Sequence, residues 1–112
     1  MNNIFITNLR CEYLKDPIGI DTISPRLSWE IESDGRNVKQ IAYQIIAASS
    51  IKLLENERAD LWDTGKVESD QSAHINYTGR KLESLDQVFW KVRIWDQGKQ
   101  VSVWSSSASW KM

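Results

Sequence analysis

Apolar and polar residues alternate along most of this chain, most plainly through Phe89-Trp90-Lys91-Val92-Arg93-Ile94-Trp95-Asp96. At period two, Val88, Trp90, Val92 and Ile94 fall on one face, and Phe89, Lys91, Arg93 and Trp95 on the other. A wholly apolar face opposite one that mixes cations with rings predicts a half-buried β-strand. Its β-branched and aromatic residues suit a pleated surface. At helical spacing the same apolar set would scatter around the cylinder. This is the central strand, and the other apolar runs are its partners.

In chain order, Ile4 to Cys11 is a first strand with Ile4, Ile6 and Leu9 inward. Glu12 to Ser24 is a long connection punctuated by Asp16-Pro17 and Gly19, with Ile18 and Ile20 expected to plug the end of the core. Pro25 opens a second strand, where a first residue need not donate a ladder hydrogen bond; Leu27, Trp29 and Ile31 face inward. Asp34-Gly35-Arg36-Asn37 is a loop. Gln40 to Ser49 is a third strand, partly apolar on both faces and so central or covered on both sides. Ile51 to Asp60 reads as a loop with one turn of helix, because nucleating so short a helix is costly. Leu61 to Val67 is a short strand with Gly65 as bulge or turn. Ala73, Ile75 and Tyr77 mark another, after which Leu82 pins the crossing back. Asp96-Gln97-Gly98-Lys99 turns into a last strand, Val103 to Trp110. Seven short strands separated by turn signals predict an all-β, antiparallel two-sheet sandwich.

The 112 residues form one domain, 1–112, by size. Its expected radius of gyration is ~13 Å, and burying roughly 65% of its unfolded surface lets it hold a core without metal or disulfide. With 14 basic and 15 acidic residues, a net charge of −1 and no basic cluster, it lacks the footprint of a nucleic-acid binder. The opening residues show no signal-peptide pattern, and no apolar run reaches the ~20 residues a membrane span needs. Cys11 stands alone and is expected to be a small buried apolar side chain.

The sequence carries no catalytic constellation. His74, the one histidine, alternates outward on a predicted strand, without the partner that general-base work needs or the companions of a zinc ligand. Asp16, Asp21, Asp34, Asp63 and Asp96 lie at strand ends, where capping backbone N–H groups is the usual role; a calcium site from two of them is the alternative. The six tryptophans are the anomaly. Trp29 and Trp90 occupy core positions and are expected to face each other across the sheets. Trp62, Trp95 and Trp104, with Arg93, are the candidate surface for docking or sugar contact. Arg93 or Lys91 stacked on Trp104 would form a cation–π ladder worth ~0.5–2 kcal/mol per contact.

Six blocks occur in a telling order: Asp16-Pro17-Ile18-Gly19-Ile20-Asp21, Pro25-Arg26-Leu27-Ser28-Trp29, Gln40 to Ile45, Leu61 to Ser69, Phe89 to Asp96, and Trp104-Ser105. Together, from about Leu9 to Trp110, they resemble the N-terminal immunoglobulin-like (fibronectin type III-like) domain of bacterial α-L-rhamnosidases. Val88 stands where such sandwiches usually carry a corner tyrosine, so that hydrogen bond is expected to be missing. The resemblance implies an accessory β-sandwich of a multi-domain glycoside hydrolase that releases terminal rhamnose. That family's catalytic carboxylates lie far downstream in a helical barrel, so this chain is expected to be no enzyme itself, with no catalytic residue, cofactor or metal ligand. The implied partners are the other domains of the parent polypeptide. The alternatives are a carbohydrate-binding module for rhamnose-containing glycans and a free-standing fibronectin-type interaction domain. No nucleic acid and no membrane span are expected. The location would be periplasmic or extracellular if the parent is exported, cytoplasmic otherwise.

Overall fold

The computed structural model describes residues 4–33 and 38–112; the loop expected at Asp34-Gly35-Arg36-Asn37 lies outside them. Among the described residues, seven strands and one short helix follow one another: β1 Ile4–Cys11, β2 Arg26–Ser33, β3 Gln40–Ala48, α1 Ile51–Glu55, β4 Trp62–Asp63, β5 Ile75–Asn76, β6 Gln87–Asp96 and β7 Ala108–Lys111. They form two antiparallel sheets, β1-β2-β5 and β4-β3-β6-β7. The radius of gyration is 13.6 Å, close to the size expected from chain length.

β6 is the centre of the larger sheet, paired with β3 from Gln40↔Asp96 to Ala48↔Phe89 and with β7 from Gln87↔Lys111 to Trp90↔Ala108. Val88, Trp90, Val92 and Ile94 are all fully buried, as their alternation requires. They meet Ile4, Ile6, Leu27 and Trp29 of the smaller sheet and Tyr43, Ile45 and Ala47 of β3 in one core. The ring that Trp29 meets edge to face is Tyr43, at 5.3 Å, in place of the expected Trp90; Trp90 is enclosed in the same core. Trp29 Nε1 donates to Gln40 Oε1 (3.1 Å), and the Gln40 amide donates to the Ser69 and Gln71 carbonyls. This buried polar residue is therefore satisfied.

Where the strands depart from expectation, the local cause is visible. β1 bulges between Thr7 and Arg10, with Asn8 at φ +52°; the extra residue shifts the inward positions from Ile4 and Ile6 to Cys11. β7 is shorter than Val103 to Trp110, because serine hydroxyls replace part of the ladder. Ser102 Oγ accepts from Ile94 N and Ser105 Oγ from Val92 N, both at 3.0 Å. Ile20 packs against the core as expected, whereas Ile18 is 81% exposed. Ile18 bridges Lys111, and its neighbour Pro17 takes the buried position. His74 is exposed but lies just before the two-residue β5, at φ +59°. The expected helical turn is α1, capped by Ser50, whose hydroxyl accepts from Leu53 N.

The crossing from β5 to β6 is fastened by Leu82, which is buried, and by Tyr77, whose hydroxyl donates to Arg80 O at 2.6 Å. Val88 supplies no such bond, so this tie between a tyrosine and the crossing backbone stands at another position. Tyr77 also packs edge to face on Trp62 (5.1 Å) and Trp110 (5.5 Å).

Candidate functional site

The outer face of the larger sheet carries the unusual chemistry. Antiparallel register sets Gln44 opposite Arg93 and Ala42 opposite Trp95. Arg93 donates from Nε and Nη2 to Gln44 Oε1, at 3.0 and 2.8 Å. Held there, its guanidinium lies 4.5 Å from the Trp104 ring centre and 5.4 Å from that of Trp95. Lys91 Nζ stands 5.1 Å from Trp104, and Lys66 Nζ 5.0 Å from Trp95. The series Lys66–Trp95–Arg93–Trp104–Lys91 is a cation–π ladder.

Trp104 is anchored further. Its Nε1 donates to Glu57 Oε1 at 2.6 Å. Its ring also packs with Leu53, Ala59 and Phe89 against a second small core of Ile46, Ala48 and Leu54, formed where α1 covers the outer face. Trp95, Trp104 and Arg93 are thus brought together, all half-buried. Trp62 stands apart. Its partner on β3 is Ala47, a core residue, and its ring joins the main core beside Tyr77.

Reading the sequence missed Lys66, Glu57 and Gln44. The first two reach the face from loops, and nothing in their spacing signals it. Gln44 follows directly once β3 and β6 are aligned.

Three of the turn aspartates accept from backbone N–H groups; Asp34 lies outside the described residues. Asp96 Oδ1 accepts from Gly98 N and Gln100 N, Asp63 Oδ1 from Gly65 N, and Asp16 Oδ1 from Ser109 N. Among the described residues, no three His, Cys, Asp or Glu side chains gather so as to hold a metal ion. A shallow cleft of about 610 Å³ beside β3 contains Glu68 and Asp70. Both belong to one loop. The Cys11 thiol is buried, its pKa pushed up to about 12 first by loss of water and then by the charge of Glu12; such a thiol is inert. His74 Nδ1 is 2.9 Å from the Tyr13 hydroxyl in an exposed pair. No helix among the described residues is long and apolar enough to cross a membrane.

These two sheets and their buried tryptophans define an immunoglobulin-like β-sandwich. The chain belongs to the family described as Rha78A-like, N-terminal immunoglobulin domain, whose model matches residues 6–112. It is 39% identical over 97 residues to an α-L-rhamnosidase of Formosa agariphila, covering 87% of this chain and 10% of that protein. Two solved structures agree. The α-L-rhamnosidase of Streptomyces avermitilis complexed with L-rhamnose superposes with a TM-score of 0.92 at 38% identity, over 97% of this chain and 10% of that one. The α-L-rhamnosidase of Dictyoglumus thermophilum gives 0.93 at 38% identity, over 96% and 12%. The chain therefore spans about a tenth of the length of the relatives it matches.

Proposed function

We propose that residues 1–112 form a non-catalytic accessory domain at the N-terminal side of an α-L-rhamnosidase, where they pack on and support the parent's other domains. The observation that carries this is the match of nearly the whole chain to about a tenth of each rhamnosidase. The geometry of the tryptophan face agrees. A sugar platform needs a flat accessible ring with free polar groups beside it. Here Lys66, Arg93 and Lys91 already lie against Trp95 and Trp104, and the Trp104 N–H is engaged by Glu57. The face is thus internally partnered, and the carbohydrate-binding alternative loses its main support.

The test has two arms. The isolated chain should release no rhamnose from aryl rhamnosides, whereas turnover that disappears on mutating one Asp or Glu would refute the non-catalytic reading. Titration with rhamnose and rhamnose-containing oligosaccharides, followed by tryptophan fluorescence and NMR shifts, should show no saturation below millimolar. Micromolar binding that is lost in Trp95→Ala, with the fold intact, would establish the sugar-binding alternative.

A further inference from the structure

We infer that the domain seats against the following part of its parent polypeptide through an apolar end formed by Ile18 and Leu85, and not through its tryptophan–cation face. This rests on the accessory reading above and names the surface it uses. The end of β7 lies inside a main-chain clasp. On one side Lys111 N donates to Pro17 O at 3.0 Å, while Gly19 N and Ile20 N donate to Lys111 O at 2.8 and 2.9 Å. On the other, Met112 N donates to Asp86 O at 2.8 Å, and Leu85 N to Met112 O at 3.3 Å. Each side of the clasp presents one large apolar side chain to solvent, Ile18 at 81% exposure and Leu85 at 76%.

Leu85 is doubly out of place within the domain. Its φ is +72°, in the left-handed region that residues other than glycine enter at a cost. The turn that holds it is closed from both sides, Asp86 N donating to Glu83 O (3.1 Å) and Glu83 N to Asp86 Oδ2 (2.8 Å). Glycine or asparagine would suit that backbone better, and a polar side chain would suit the solvent better. A leucine answers neither need here, and it answers one if its side chain enters an apolar surface of a neighbour.

The neighbour follows from the relatives, in which a domain of this family is N-terminal and about a tenth of the whole. In such a protein the continuing chain leaves from Met112, between these two side chains. The stretch next in sequence is therefore the one tethered closest to both.

Hydroxyl-radical footprinting of the intact parent against the isolated 112-residue chain tests this. Ile18 and Leu85 should lose several-fold in oxidation in the parent, while Trp95 and Trp104 stay unchanged. Leu85→Gly should leave the melting temperature of the isolated chain equal or higher, and should lower the unfolding temperature of this domain within the parent. Protection of Trp95 and Trp104 with Ile18 and Leu85 still labelled would overturn the inference and leave the accessory reading standing. Identical labelling throughout would overturn both. Protection in the isolated chain that grows with its concentration would make a second copy the occupant and also overturn it, as would a lower melting temperature of isolated Leu85→Gly.

Discussion

At Trp90 the whole indole is enclosed, and its Nε1–H has no hydrogen-bond partner among the described residues, so what the residue contributes is packing. Trp90→Ala should therefore cost about 3–5 kcal/mol, as truncating a core aromatic does, a large share of the ~5–15 kcal/mol a domain has. His74→Ala should cost less than about 1 kcal/mol. Its partner Tyr13 is exposed, and the positive φ, which histidine enters more readily than alanine, adds only a small further cost. Urea denaturation of both variants checks this, and equal losses would overturn the face assignment. Gly79 behaves unlike either. A Cβ there would lie 2.5 Å from both Leu61 O and Trp62 Cβ, and 2.7 Å from the Tyr77 hydroxyl. Gly79→Ala should thus destabilise by about 1–3 kcal/mol through overpacking, with loss of near-UV signal from Trp62 and Tyr77. An unchanged melting curve would contradict the close approach. The role of Trp90 was legible in the alternation around it; His74 is exposed as expected, but it precedes β5 and so does not owe that to strand alternation. That of Gly79 was not, because the contact joins the crossing to β4, and a single glycine carries no record of what approaches it.

Among elements, legibility followed length. β6 alternates over ten residues, so either face can be read, and the approach of Arg93 and Lys91 to Trp104 followed from placing the last segment beside it. β4 has two residues, too few to show a period, and so Trp62 could be grouped with Trp95 and Trp104 although it faces the core. The segment after the Asp96 turn misled for a different reason. Its apolar residues fit a strand, yet Ser102 and Ser105 accept with side-chain oxygen where a carbonyl would be expected. This substitution can be tested. Val92 is buried, so Ser105→Ala should leave its N–H unsatisfied at a cost of about 1–3 kcal/mol. Faster amide exchange at Val92 should accompany it. Exposed Ser106 should tolerate alanine, and equal tolerance at Ser105 would mean the hydroxyl is not part of the ladder.

For the molecule as a whole, the two groups that burial perturbs most act on the same side of the pH scale. The Cys11 thiol is raised from 9.0 to about 12, and the Tyr77 hydroxyl from 10.0 to about 12, chiefly by loss of water. As pH rises past 9 the unfolded chain releases these protons while the folded one retains them. The folded state therefore binds more protons, and its stability must fall with pH. Glu12 gives the opposite sign at the acid end. Hydrogen bonds from Arg26 hold its carboxyl below 4.5, so its contribution is present above that value and fades as pH falls through the lowered one. The melting temperature should accordingly be flat from about pH 6 to 8.5 and decline above about 9. Cys11→Ala should remove the lower part of that decline and Tyr77→Phe the upper. At pH 8 the single thiol should react with a disulfide reagent only as fast as the core opens, since the anion that attacks is both scarce and enclosed. Labelling of the native protein at the rate of a free thiol would place Cys11 outside the core, and with it the shift that the bulge of β1 produces in the inward-facing positions.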